Sequence, residues 1–359
     1  MSNFVFDLLS NLTNQLLGST FSPSDSLSFP DAVNVDNLSV SSSGLNTTIT
    51  ALGSSLTLPS LTLRTAGQEG HVTLATGMHV ITGTDGDDTL AGSSGDDAIY
   101  GLGGNDMLTS GGGNDYMFGG AGSDNIAGGD GNDHLYGNSA TPDLNDGADT
   151  ISGGAGGDYI QGNAGNDVLD GGDGDDRING GKDDDHITGG NGNDTINGNF
   201  GNDVIDGGSG DDLLRGGKDN DTITGGDGND QIYGDLGVDT MTGGTGSDTF
   251  HFSGNDSALL STATLSSQFD AITDFHHGED HLAIGYVPDG IIEAVSQSTI
   301  AGAISAATGL LSGHIGDVVA VSVGSDTLLF YSASHTAVVD SVIDLKGMAA
   351  SSLALSDFV

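Results

Sequence analysis

The chain has no cysteine, no tryptophan and only six basic residues: Arg64, Arg177, Lys182, Arg215, Lys218 and Lys346. Without cysteine there are no disulfides, thiolate metal sites or thiol nucleophiles. With aromatics at 5% of 359 residues, a core of large side chains does not extend along the whole sequence. The shortage of lysine and arginine leaves a net charge of −45. Such a polyanion repels phosphates, so no nucleic-acid partner is expected; divalent cations are its natural partners. No apolar run approaches the ~20 residues that cross a bilayer, so no transmembrane segment is expected. The start, Met1-Ser2-Asn3-Phe4, lacks a basic stretch and an A-x-A-like site, and does not read as a cleaved signal peptide. Glutamate is scarce too: Glu69, Glu279 and Glu293 are the only three, and every other acidic residue is aspartate. A solubilising surface would use both, whereas oxygen ligands on tight turns favour aspartate.

Glycine is in excess, at 63 residues, more than twice its usual share. From Gly83 the sequence repeats every nine residues, as in Gly162-Asn163-Ala164-Gly165-Asn166-Asp167-Val168-Leu169-Asp170. About eighteen units fill residues 83–251 in the form G-G-x-G-x-D-x-U-x, where U is apolar. The sixth position is always aspartate: Asp88, Asp97, Asp106, Asp115, Asp124, Asp133, Asp149, Asp158, Asp167, Asp176, Asp185, Asp194, Asp203, Asp212, Asp221, Asp230, Asp239 and Asp248. The eighth is mostly Ile or Leu, with Met117, Met241 and Phe250 as variants. The register breaks once, at an insertion within residues 139–146. A flexible Gly/Asp linker would not hold an apolar column in register.

Nine residues fit one tight turn and one short strand. The glycines allow positive φ and turn several carbonyls to one side, and the aspartate adds a carboxylate to that set. Turns stacked at a strand spacing of about 4.8 Å then offer the six to eight oxygens that Ca²⁺ requires. The eighth-position side chains point inward as a narrow aliphatic core. Asp183 and Asp219 replace the fourth-position glycine, which aspartate tolerates better than most residues, and Ser110 replaces a first-position glycine. Calcium is expected to bind more weakly at these units.

This pattern resembles the RTX (repeats-in-toxin) family over nearly half the chain. The resemblance implies an all-β fold, a right-handed parallel β-roll with two units per coil. It also implies multiple Ca²⁺ ions in both rows of turns, export through a type I exporter, and a secreted, extracellular or cell-surface location. Residues 269–275 and 278–282 are similar to the segment that follows the roll in serralysin-type proteases. Residues 340–347 and 356–359 resemble RTX C-termini that carry an uncleaved export signal.

Four segments are expected: an amphipathic helix in residues 1–20, a Ser/Thr-rich β region in 21–82, the roll in 83–251, and a mixed capping and secretion module in 252–359. The helix is read from the stripe Phe4, Leu8, Leu12 and Leu16 with Gly18 as its stop; it either caps the roll or mediates self-association. The strands of 37–82 could prolong the solenoid without calcium. In the last segment, 298–311 reads as a helix, and 318–323 with 327–331 as a hairpin.

No catalytic site is expected. There is no H-E-x-x-H and no serine with glycine at both −2 and +2. The cluster His276-His277-Gly278-Glu279-Asp280-His281 has zinc-ligand types but poor spacing for a tetrahedral set; a polar turn with one further calcium carboxylate is the plainer reading. Paired aspartates such as Asp175/Asp176 recur along a face rather than converge. The expected function is a secreted calcium-binding structural protein of the cell surface or extracellular matrix, which folds on binding Ca²⁺ and self-assembles into a homo-oligomer, filament or lattice. The alternative is a calcium-dependent adhesin or carbohydrate-binding accessory module.

Overall fold

The computed structural model describes residues 79–138, 146–252, 269–311, 316–332, 339 and 341–359, together with the backbone of six short strands before residue 79. The chain divides into two compact units, Met1–Ile178 and Asn179–Val359. The division falls inside the repeat array, not at 82/83 or 251/252, where the composition changes.

In the first unit, Asp97–Gly103, Tyr116–Ala121, His134–Tyr136 and Tyr159–Ala164 pair in parallel as one sheet. Thr89–Ala91, Met107–Gly112, Asn125–Asp130, Thr150–Ala155 and Val168–Asp173 form another. The second unit repeats the scheme. Thr195–Phe200, Leu213–Lys218, Gln231–Leu236 and Thr249–His251 make one sheet, and His186–Asn191, Val204–Ser209, Thr222–Asp227 and Thr240–Thr245 the other. Because the chain alternates between sheets, a residue pairs with the one eighteen later, as Ile205 does with Ile223. This is the parallel β-solenoid that two nine-residue units per coil require.

Each strand buries its eighth-position side chain. Ile99, Leu108, Met117, Ile187, Ile223 and Phe250 are all fully buried, while Leu90, in the first strand of its sheet, is half-buried. One such aliphatic side chain contributes roughly 1.5–3 kcal/mol, about what ordering two backbone residues costs. With one per nine residues, the apolar column alone does not hold the coil. The first unit adds stacked rings beside the apolar column: Tyr100 on Phe118 at 5.0 Å, Phe118 on Tyr136 at 4.8 Å, and Tyr116 on His134 at 4.5 Å. The ring faces meet one another along the coil axis and contribute to cross-strand stability.

The N-terminal expectations change in two respects. Asn3–Val5 is a strand, paired in parallel with Ser26–Phe29, where a helix was expected; Phe4 and Val5 are aromatic and β-branched and favour extended backbone. The remainder of the expected helix lies outside the described residues. Leu38–Ser43, Asn46–Ala51 and Ser54–Pro59 form a separate antiparallel sheet, while His79–Thr82, paired in parallel with Asp97–Gly103, does prolong one sheet of the solenoid. Only two residues separate consecutive strands of the antiparallel sheet, enough for a hairpin but not for the crossover of a parallel coil. Ser26–Phe29 also pairs with Val72–Leu74, which meets His79–Thr82 antiparallel.

At the other end, Thr240–Thr245 pairs with Ala271–Ile272, and this with Ser341–Leu345. Antiparallel Asp326–Tyr331 and Val318–Val323 follow, and then parallel Ile291–Gln297. Helix α1, Ile300–Leu311, sets Ala303, Ala307 and Leu311 against Val319, Val321, Leu328 and Phe330. The i, i+4, i+8 spacing puts all three on one face. The other sheet ends on His281–Ala283. Its outer edge is covered by the last residues: Leu282 bridges Phe358, and the Val359 N–H donates to the Leu282 carbonyl at 3.2 Å. A covered edge recruits no further strand. Among the described residues no helix is long and apolar enough to cross a membrane.

Candidate calcium-binding turns

Between consecutive strands the chain turns with its second and fourth residues left-handed. Gly208 and Gly210 have φ of 105° and 133°, a region glycine enters freely. Asp183 and Asp219 take the fourth position at 72° and 76°, so the coil survives both departures from glycine. Leu102, at 84°, is the residue least suited to this region. The left-handed positions fan the carbonyls towards the next coil. A Cβ added to Gly208 would run into the Gly190 carbonyl, and one on Gly210 into that of Gly192.

The sixth-position aspartates stand in rows, each at most 4% exposed. The first unit holds Asp88, Asp106, Asp124, Asp149 and Asp167 in one row, and Asp97, Asp115, Asp133, Asp158 and Asp176 in the other. The second unit holds Asp185, Asp203, Asp221 and Asp239, and Asp194, Asp212, Asp230 and Asp248. Within a row, Oδ1 of each aspartate after the first accepts the backbone N–H of the aspartate one coil earlier, as Asp176 does from Asp158 at 2.7 Å. The insertion leaves the row intact: the Asp124 N–H reaches Asp149 Oδ1 at 2.8 Å across 25 residues.

The second carboxylate oxygen turns towards the first residue of its own turn. A Cβ on Gly207 would collide with Asp212 Oδ2 and lie 2.6 Å from the Gly225 carbonyl. This small cradle is lined by oxygen, and only glycine leaves it open. In Asp149, Asp158, Asp212 and Asp221 the buried Oδ2 accepts no hydrogen bond. Burial pushes Asp149 up to about 8 against the Asp124 N–H, and the charges of Asp167, Asp124 and Asp146 add to the rise. Burial likewise raises Asp221 to about 8, and Asp158 and Asp212 to about 7.

Buried carboxylates without counter-charge are costly, and the carbonyl beside each cradle, that of Gly225 next to Asp212 Oδ2, adds to the negative field. Oxygen donors alone, some charged and most from the backbone, suit a hard cation such as Ca²⁺ rather than zinc. The column aspartate and the carbonyls of the first, second and fourth turn residues would hold it. Among the described residues no three His, Asp or Glu side chains converge as a metal cluster; here the backbone supplies most donors. Replacing Gly207 by alanine fills the cradle between Asp212 and Gly225. The variant is expected to bind at least one ion fewer than the parent protein, as counted by equilibrium dialysis with atomic emission.

Sequence reasoning missed two features. Fifth-position side chains form a second ladder in the opposite sense: the Asn105 N–H donates to Asp87 Oδ1, Asn114 to Asp96, Asp211 to Asn193 and Asn229 to Asp211, all at 2.8 Å. The recurring Asn or Asp at that position was the available signal. The second feature is that both rows outlast the repeats. The Asp239 N–H donates to Asp270 Oδ1, and that of Asp248 to Asp280 Oδ1. Ile272 and Leu282, two residues on, pair with Met241 and Phe250 of the apolar column. Residues 275–283 are thus a degenerate unit with Gly278 fourth, Asp280 sixth and Leu282 eighth. Gly278 and the D-x-U spacing were its only traces. Asp280 is thereby drawn into the roll, while His277 Nδ1 lies 2.9 Å from both oxygens of buried Asp357.

No curated protein matches the chain. Among solved structures it is similar to the AlgE6R3 subunit of the Azotobacter vinelandii mannuronan C5-epimerase, at 23% identity and a TM-score of 0.30, covering 50% of this chain and 78% of that one. It is also similar to the extracellular lipase LipA from Serratia marcescens, at 16% identity and a TM-score of 0.20, covering 67% of this chain and 40% of the lipase. The family model of the RTX calcium-binding nonapeptide repeat (4 copies) matches residues 82–117, 118–140, 143–178, 170–205, 179–214, 206–241 and 215–250. With its turns, rows and parallel coils in place, the middle of this chain is an array of RTX calcium-binding nonapeptide repeats.

Proposed function

We propose that the chain is a secreted structural protein of the cell surface or extracellular matrix, whose roll folds when several Ca²⁺ ions enter its turns. The observation that supports this best is the set of buried, uncompensated Oδ2 atoms at Asp149, Asp158, Asp212 and Asp221, each beside a cradle of oxygen. Bound calcium supplies the missing positive charge. The aspartates orient the stacked turns through Oδ1, and the glycines keep the cradle open. Cytosolic calcium is too low to fill sites of extracellular affinity. The chain then passes a type I exporter unfolded, under a signal in its C-terminal module, and folds outside, where return is blocked. A structural rather than catalytic role is favoured by the aspartate pairs, which run as ladders along the roll instead of converging.

Self-association is assigned to the N-terminal side; at the other end Phe358 and Val359 cover the edge of one of the two sheets. Light scattering in millimolar calcium tests this on the full chain beside one beginning at Thr76. Assembly of the full chain alone is expected. A full chain that stays monomeric at tens of micromolar removes self-association from the function, and assembly of the shortened chain moves the contact to the roll.

A further inference from the structure

The turns are not all alike. From Leu102 to Gly244 the second turn residue is left-handed, with φ of 64–126°, Asn138 beside the insertion being the exception. Thr84, Ser93 and His276, which hold the same place in turns 83–88, 92–97 and 275–280, are not left-handed. Their N–H groups point back into their own turns and donate to the column carboxylate. Thr84 donates to Asp88 Oδ2 at 2.6 Å, Ser93 to Asp97 Oδ2 at 2.6 Å, and His276 to Asp280 Oδ2 at 2.7 Å. The hydroxyls of Thr84 and Ser93 add bonds of 2.9 and 3.1 Å to the same oxygens.

The fourth position differs as well. A Cβ on Gly86, Gly95 or Gly278 would meet nothing within 4 Å, whereas on Gly174 or Gly228 it would strike the carbonyl of the preceding coil. At the fourth position these three turns therefore meet no carbonyl of a preceding coil, and the oxygen that would face an ion already accepts amide protons. Those donors bring positive charge to where the ion would sit. They offset the carboxylate as the ion does elsewhere.

We infer that Oδ2 of Asp88, Asp97 and Asp280 takes no calcium, and that their turns are ends that terminate the calcium rows on that side. The inference rests on the calcium reading of the remaining turns. It removes two aspartates of the consensus column from the ligand set, although the sequence of their units, G-x-x-G-D-D, differs little from that of its neighbours. It also gives the serine and threonine after the first glycine a role: they replace the left-handed residue and supply hydroxyl donors in place of a metal.

Anomalous diffraction at long wavelength, from crystals of the full chain grown in millimolar calcium, tests this. Ions are expected beside Asp158 Oδ2, Asp212 Oδ2 and Asp221 Oδ2, and none within about 2.6 Å of Oδ2 in Asp88, Asp97 or Asp280. An ion on any of those three overturns the inference. Absence of ions from the interior turns would instead overturn the calcium reading itself. In solution, Asp97→Asn is expected to leave the number of bound ions unchanged, and Asp158→Asn to lower it by at least one. Equal losses from the two variants contradict the assignment.

Discussion

In the presence of a chelator, lowering the pH from about 8 to about 4.5 is expected to restore much of the β structure that calcium removal is expected to abolish. Asp149 and Asp221 are pushed up to about 8, and Asp158 and Asp212 to about 7, first of all by burial. In an unfolded chain they would titrate near about 3.9. A carboxyl whose folded value is raised binds more protons folded than unfolded between those limits. Its contribution to stability is complete below about 4 and is lost as the pH climbs through about 7–8. Protons thus do for the calcium-free roll what calcium does at neutral pH. Aspartates of one row titrate together, so a single broad transition is expected from far-UV circular dichroism in EGTA. With calcium present the sign reverses, because protons compete for the same oxygens and apparent affinity falls with acid. A calcium-free chain that gains no β signal on acidification would show that carboxylate repulsion is not what opens the roll.

Chelation at neutral pH is expected to split the molecule by exchange behaviour. The C-terminal module is held by an apolar core that includes Phe269, Ala303, Ala307, Val319, Val321, Leu328 and Phe330, and its strands Val318–Val323 and Asp326–Tyr331 pair directly. None of those contacts needs a cation. The coils between 150 and 251 have one aliphatic side chain per unit and their rows of buried carboxylates. Hydrogen exchange followed by mass spectrometry in EGTA is expected to leave peptides spanning 318–331 protected, with those spanning 150–230 exchanging within seconds. Protection factors in the coils should rise by orders of magnitude once calcium is restored, as for a segment passing from open to globally protected. Uniform protection of both regions in EGTA would place the stability of the coils elsewhere.

The coils were legible in the sequence because every local signal repeats with one period. Glycine marks the left-handed positions, aspartate the rows and Ile or Leu the inward column, so an error at one unit is corrected by the next. Where repetition stops, legibility declines. The unit at 275–283 keeps only Gly278, Asp280 and Leu282 of its consensus, and the polar turn read there is tied to Asp357 through His277. The N-terminal strands carry the alternation that marks a strand but nothing that chooses between parallel and antiparallel pairing. That choice was set by the two-residue connections between Leu38–Ser43, Asn46–Ala51 and Ser54–Pro59. The stripe Phe4, Leu8, Leu12 and Leu16 fits a helical period, yet Asn3–Val5 is fixed as a strand by its partner Ser26–Phe29, a contact 23 residues away in the register. The difference between ion-holding and end turns was hidden for another reason. Thr84 and Ser93 are single substitutions in a column that elsewhere accepts Leu102, Asn163 and Asp235 without losing the left-handed turn.

The most direct measurement is a calcium titration of the full chain at about pH 7.5, with far-UV circular dichroism and bound-ion count taken on the same samples. Extracellular calcium modules fill between about 0.1 and a few mM, and a structural site that exists only in the folded state couples binding to folding. The β signal is therefore expected to rise cooperatively over that range and in proportion to the ions bound, starting from a roll that is largely disordered in EGTA. Full β signal in excess EGTA at this pH, or ions bound with no change in the signal, would contradict calcium-driven folding of the repeats.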